Sequence, residues 1–203
     1  LPGTKNVMED AAWLARTGWK RVVIGFAKAG KKIIGLCGGY QIMGKSIKDP
    51  SGVESNREKV TGLNLLPIET ILEEEKIVRK VTGTCLMNGK RVRGYEIHMG
   101  KSSILENIGE PFLRIHKPGA KRSWSDGCCV NKGQVCGTYI HGLFDSPGFR
   151  GDFLNRIRID KGLKTRVPRQ GRIARFHQYD ILADHFEIHC DVEKILSMIQ
   201  GIG

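Results

Sequence analysis

Cys37 lies in Gly35-Leu36-Cys37-Gly38-Gly39, directly behind the apolar run Ile33-Ile34 and ahead of a helical pattern. A cysteine between glycines at a strand-to-helix turn has the layout of a nucleophile elbow. The bend presses the backbone against its neighbours, so the flanking residues must be small, and it turns the thiol outward at the head of a helix. There the helix dipole favours thiolate over thiol. The competing reading is a buried structural cysteine, because free Cys is among the most buried residue types. A nucleophile also needs a base. Two histidines qualify: His141 in Gly137-Thr138-Tyr139-Ile140-His141-Gly142, at the end of an apolar strand, and His98 in Gly94-Tyr95-Glu96-Ile97-His98-Met99-Gly100. Either could instead be a hydrogen-bonded structural histidine. His116, His177, His185 and His189 read as surface or packing residues.

Two other chemistries are weighed and set aside. Gly39-Tyr40-Gln41-Ile42-Met43-Gly44-Lys45-Ser46 matches the spacing of a phosphate-binding loop. Its middle, however, is bulky and largely apolar where a phosphate cradle needs small or polar residues, and no acidic partner for magnesium follows a second apolar strand. Cys128, Cys129 and Cys136 lack the C-x-x-C pairing of a zinc site, so no metal is assigned.

The elements that must hold these residues read as α/β. Val7, Ala11, Leu14 and Ala15 follow helical spacing, Asn6 is a candidate cap and Gly18 a stop. A second helix over 19–29 ends at Gly30, and 32–36 reads as a short buried strand. Residues 76–87 and 91–97 are strand-like around the hairpin turn Asn88-Gly89. A second hairpin is expected around Asn131-Lys132-Gly133, with Val130 before it and 134–140 after. Residues 148–159 read as a helix, 164–172 as a polar linker, and 175–200 as one or two closing helices with Tyr179, Leu182, Phe186 and His189 on one face. This order fits a mixed sheet flanked by helices.

Composition bounds the rest. The 203 residues, 40% hydrophobic, bury one sizeable core and not several. Neither a signal sequence nor a run of apolar residues long enough for a membrane span is present, which points to a cytoplasmic protein and away from a membrane. The six cysteines lack the compact framework of a small secreted fold and are expected to be reduced. A net charge of +12 favours an anionic substrate or an acidic partner. Basic residues cluster at Lys164, Arg166, Arg169, Arg172 and Arg175 without interleaved aromatics, which argues against nucleic acid. The chain opens Leu1-Pro2-Gly3 without an initiator methionine, and a fragment of something longer is expected.

Four motifs in order carry a resemblance that runs nearly end to end: Leu-Pro-Gly-Thr-Lys-Asn at 1–6, Gly-Leu-Cys-Gly-Gly-Tyr-Gln at 35–41, Gly-Tyr-Glu-Ile-His-Met-Gly at 94–100 and Gly-Thr-Tyr-Ile-His-Gly-Leu-Phe-Asp at 137–145. The chain resembles the triad-type (class I) glutamine amidotransferases, in the form that ends cobyric acid synthases of cobalamin biosynthesis. The resemblance implies a flavodoxin-like α/β core over 1–163 with its N-terminal strands missing, and a linker with closing helices of the same domain over 164–203. It implies Cys37 as nucleophile on L-glutamine, His141 as base, and the Gly3 and Gly38 amides as oxyanion hole. Gln41 matches a substrate-contacting position, and Tyr95, Glu96 and His98 are expected to line the same pocket. One departure stands out: many relatives place a glutamate two residues after the histidine, where this chain has Leu143. Asp145, Glu96 or a backbone carbonyl is then left to orient His141, or the pair acts as a dyad. The resemblance further implies no cofactor in this segment, with ATP and Mg2+ used by an N-terminal synthetase domain of the same chain that amidates a corrinoid. Domains that serve a,c-diamide synthesis or lipid II amidation, and a catalytically silent glutamine-binding module, are the alternatives.

Overall fold

The structure, a computed structural model, describes residues 1–105, 108–168 and 171–201, with side chains left out for 171–175. Arg169 of the basic cluster lies outside the described residues, as do the side chains of Arg172 and Arg175. The chain forms two compact units, Leu1–Arg166 and Val167–Gly203. The division falls three residues later than the sequence reading placed it, and the later segment is a unit by its own contacts.

The first unit opens with α1 (Val7–Arg16) and α2 (Trp19–Lys28). Asn6 caps α1 by accepting from Glu9 N at 3.1 Å, a bond that stabilises a helix by about 1 kcal/mol. Val7, Met8 and Ala11 are buried. The chain then runs through β1 (Ile33–Leu36), α3 (Gly38–Ile42), β2 (Ser46–Lys48) and β3 (Lys59–Thr61). Two long strands follow, β4 (Ile68–Cys85) and β5 (Arg91–Ile104), joined at Asn88-Gly89, where Gly89 takes φ 67°. Their register slips between Ile71 and Lys76, where Glu73, Glu74 and Glu75 are all exposed. Three successive like charges cannot alternate into a core, so the ladder breaks there. Next come β6 (Leu113–His116), β7 (Ser123–Asp126), β8 (Cys128–Val130), β9 (Val135–Thr138), β10 (Ile140–His141) and α4 (Pro147–Asp160). The second unit holds α5 (Gly171–His189) and α6 (Val192–Ile199), with Tyr179, Leu182 and Phe186 of α5 exposed.

The strands divide into two sheets where the sequence reading had one. In the first, β9 lies between β1, to which it is parallel, and β8, to which it is antiparallel. The second runs β10-β5-β4-β2-β3, with β6 on the far end of β4 and β7 on β6. One apolar cluster gathers Met8, Tyr40, Met43, Ile47 and Ile68, and another gathers Val81, Leu113, Ile115, Ile140 and Phe149. Between β9 and β10 the chain leaves one sheet and enters the other through a single residue, Tyr139. That crossing carries His141 out of the first sheet and pairs it with Tyr95 of β5.

Candidate active site

Cys37 closes β1 with φ 52° and ψ −116°, a conformation that L residues rarely adopt. Such strain costs on the order of 1–3 kcal/mol and persists only where the surroundings enforce it. Here Cys37 N donates to Thr138 O at 2.8 Å, while Cys37 O accepts from Tyr40 N and Gln41 N at 2.9 and 3.1 Å. The flanking glycines are steric necessities. A Cβ on Gly38 would stand 2.6 Å from Thr4 Cγ2, and one on Gly39 would strike the carbonyl oxygens of Leu1 and Pro2.

The segment before α1 supplies the third wall. A Cβ added to Gly3 would lie 3.3 Å from His141 Cε1 and 3.4 Å from Cys37 Cβ, so the cysteine and the histidine meet across Gly3. His141 Nε2 is buried and has no hydrogen-bond partner among the described residues. Its ring is stacked on Tyr95, centroids 5.2 Å apart and planes within 5°. A candidate nucleophile and a nitrogen with a free lone pair or proton thus share one site. Catalytic hydrogen bonds often tighten only when substrate arrives.

The sulfur is a thiol in this state, not the thiolate that the helix-head reading favours. Sγ is the donor to Ile97 O at 3.4 Å, and Cys37 is only 8% exposed. Burial pushes its pKa up; the Gly38 amide pulls it down, and the Glu54 carboxylate pushes it up again. α3 has five residues, too short to overcome desolvation.

Gln41 is 3% exposed, and its side-chain NH2 donates to Met99 O at 3.0 Å and to Tyr139 OH at 3.2 Å. In this state it ties α3 to β5 and to the crossing residue. Of the three residues expected from β5, Tyr95 covers His141, while Glu96 and His98 face the other way. Strand alternation puts Glu96 and His98 on the buried side of β5. There Glu96 accepts from Arg79 Nε, and His98 stacks on Tyr139 with centroids 3.7 Å apart. Burial raises the Glu96 pKa, but His98 and Arg79 together bring it below the usual carboxylate range.

Of the candidates to orient His141, Glu96 is turned away on this opposite side. Asp145 is exposed, its Oδ2 within 3.4 Å of where a Cβ on Gly142 would sit. Leu143 is fully buried.

Sequence reasoning passed over the brace behind this site. Asp126 is buried at the end of β7, where Thr138 Oγ1 donates to it and Tyr139 N reaches it at 3.4 Å. Thr138 Oγ1 in turn accepts from Ile140 N at 3.0 Å. Asp126 therefore fixes the backbone that both anchors Cys37 and launches His141. Burial raises its pKa to about 6, against the pull of Thr138 and with a further push from Glu96. The signal available was an acid just before a glycine, Asp126-Gly127, which by itself says only turn.

The phosphate-loop spacing has another use. Tyr40 to Met43 are buried, and Ser46 Oγ donates to Glu69 Oε2 at 2.7 Å. Among the described residues no group of three or more His, Cys, Asp or Glu side chains is placed to hold a metal ion. No described helix is long and apolar enough to cross a membrane.

Comparison with known proteins gives the family. Residues 1–149 match the model of the CobB/CobQ-like glutamine amidotransferase domain. A cobyric acid synthase of Clostridium botulinum (strain Kyoto) is 43% identical over 201 residues, covering 98% of this chain and 41% of that protein. The cobyric acid synthase of Syntrophobacter fumaroxidans is 39% identical over 210 residues, with the same coverage of 98% and 41%. The chain thus spans about two-fifths of the length of these relatives. A solved structure described as a glutamine amidotransferase superposes with a TM-score of 0.51 over 77% of this chain and 76% of that one, at 13% identity, a likeness of fold. The elbow at Cys37, the histidine across Gly3 and these matches lead to one conclusion: the chain belongs to the CobB/CobQ-like glutamine amidotransferases.

Proposed function

We propose that this chain is the glutamine-hydrolysing part of a cobyric acid synthase. The observation that carries the reading is the meeting of Cys37 and His141 across Gly3, in a chain 43% identical to one such synthase over 98% of its length. Glutamine enters with its side-chain amide at Cys37. His141 takes the thiol proton as Sγ leaves Ile97 O and attacks the amide carbon. The Gly3 and Gly38 amides receive the oxyanion, where preorganised donors act most strongly. His141 then returns the proton to the departing ammonia and leaves a glutamyl thioester. Water, activated by the same histidine, releases glutamate. Tyr95 keeps the imidazole in plane, and the brace through Thr138 holds nucleophile and base in register. The pair works as a dyad, with Leu143 where many relatives have glutamate. Glu96 and His98 serve from behind β5, and Gln41 moves to the substrate only by giving up Met99 O.

The remaining length of the relatives is the place for the synthetase that uses ATP and Mg2+ to activate the carboxylates of a corrinoid, adenosylcobyrinic acid a,c-diamide. The +12 charge of this chain suits an acidic partner surface or that anionic substrate. The direct test is glutamate release from glutamine, together with covalent labelling of Cys37 by an electrophilic glutamine analogue. A chain that binds glutamine but is never labelled at Cys37 is a silent module, the alternative to which Leu143 gives some ground.

A further inference from the structure

Strand alternation sorts the cysteines around the β8–β9 hairpin into two groups. Cys128 turns into the apolar cluster of Met8 and Tyr40, while Cys85, Cys129 and Cys136 share the cluster of Leu113 and Ile115. Cys129 of β8 and Cys136 of β9 stand directly opposite each other in the antiparallel ladder. The backbone decides which kind of pair they form. Cys129 N and Cys129 O both bond to Glu110, away from β9, at 2.8 and 3.0 Å. On β9, Gln134 O and Thr138 O accept from Ile33 N and Cys37 N, so Cys136, of the same parity, also turns its peptide groups toward β1. Cys129 and Cys136 are therefore a non-hydrogen-bonded pair, the closer kind, with Cα atoms about 4.5 Å apart. A disulfide spans roughly 4.4–6.8 Å between Cα atoms. Both sulfurs are free thiols in this structure and already share a hydrogen bond.

We infer that Cys129 and Cys136 are a two-electron redox site, oxidised to a cross-strand disulfide by a small peroxide. Each is only 2% exposed, which bars a bulky oxidant. Gly133, whose O lies 3.4 Å from Cys136 Sγ, lines a cavity of about 20 Å³ with Met87 and Lys132, room for a molecule little larger than water. The hydrogen bond from Cys136 draws the Cys129 thiol below its ordinary value, against burial and the Glu110 carboxylate, so Cys129 is the attacking sulfur. Its thiolate takes one peroxide oxygen, the O–O bond breaks, and the departing hydroxide leaves as water with the proton Cys129 had released. Cys136 sulfur then displaces hydroxide from the Cys129 sulfenic acid: the S–S bond forms, the S–O bond breaks, and the Cys136 proton leaves with the hydroxide as a second water. Two thiols are oxidised, and one peroxide is reduced to two waters. The bond would staple the hairpin that follows Asp126 and leads to Thr138, whose carbonyl anchors Cys37 N. The inference uses neither Cys37 nor His141 and stands apart from the glutaminase reading.

The test oxidises the native chain with hydrogen peroxide in slight excess, alkylates the remaining thiols in denaturant and digests with trypsin without reductant. Trypsin cuts after Lys132, between the two cysteines, so the bond joins residues 123–132 to residues 133–150 with the loss of two hydrogens. Fragmentation between Cys128 and Cys129 then reads which of them holds the link. The Cys129–Cys136 link is expected at least tenfold above any other cysteine pair and reversed by dithiothreitol. It is lost in Cys129→Ala and in Cys136→Ala and kept in Cys85→Ala and Cys128→Ala. If an alanine variant does not fold, the linked peptides of the parent chain decide alone. Thiols that all stay free, a link through Cys85 or Cys128, oxidation that stops at sulfinic acid, or the same mixture of pairs in the native chain as in urea overturns the inference.

Discussion

Cys37 directly follows β1 and Cys136 sits in β9 beside it, and the two strands run parallel with Ile34 opposite Cys136. Both thiols are almost sealed from solvent, at 8% and 2% exposure. Cys136 lies in regular extended backbone facing Cys129 across the β8–β9 ladder. Their shared hydrogen bond, with burial, holds its thiol far above the ordinary value. Cys37 has a strained backbone, a glycine amide beside the sulfur and an imidazole across Gly3. Burial alone therefore does not decide whether a cysteine is inert; the backbone it sits on and the base within reach decide it.

Substitution at the two cysteines tests the contrast most severely at Cys37. Cys37→Ser is expected to lower glutamine hydrolysis by at least about 10³-fold, as loss of a nucleophile does, while its circular dichroism and melting temperature stay close to those of the parent. Undiminished glutamate release would place the nucleophile elsewhere. The strained turn is probed by Gly38→Ala, whose new methyl meets Thr4 Cγ2 at 2.6 Å and Thr4 N at 3.0 Å. Overpacking of this kind costs about 1–3 kcal/mol, and displacing the turn lowers kcat by roughly 10²-fold. Urea denaturation and steady-state kinetics on one preparation read both effects.

The brace shared by β7 and β9 gives a pH-dependent prediction. Asp126 is raised from 3.8 to about 6 in the folded chain, so the native state holds this proton more tightly than the unfolded state. Its stabilising contribution is complete below the unfolded pKa and is lost as pH rises through 6. The shift corresponds to about 3 kcal/mol. Asp126→Asn, which is neutral at every pH, is expected to flatten the stability profile between about pH 4 and 6; an unchanged slope in urea midpoints would assign the titration to another group. The mildest change belongs to the comparison cysteine. Cys136→Ala should leave activity within about twofold of the parent and cost about 1 kcal/mol in stability, the scale of one lost buried group. A loss of activity there comparable with Cys37→Ser would erase the distinction between the two thiols.

Some of the site was legible before any fold was known. Gly-Leu-Cys-Gly-Gly behind an apolar pair marks a tight turn because only glycine tolerates the approach of Thr4 and the Leu1 and Pro2 carbonyls. The α1 boundaries, the Asn88-Gly89 hairpin and the turn at Gly133 are equally local. The role of Glu96 and His98 was less so. Alternation along Gly94-Tyr95-Glu96-Ile97-His98 already separates Tyr95 from the other two, but which side faces Cys37 depends on the β10 pairing at Tyr95 and His141. Asp126 carried no signal beyond a turn, since its partners, Thr138 and Tyr139, are twelve and thirteen residues away.

The amino-acid sequence determined by itself where the chain bends and which side chains carry chemistry, because capping, glycine clearance and strand alternation act over a few residues. The fold decided which of those side chains meet. Cys37 and His141 are brought together by the parallel pairing of β1 with β9 and the single-residue crossing into β10. Gln41 is drawn inward to Met99 and Tyr139, and desolvation keeps the sulfur a thiol. Each depends on groups distant in sequence, and their hydrogen bonds and burial exist only once the sheets have packed.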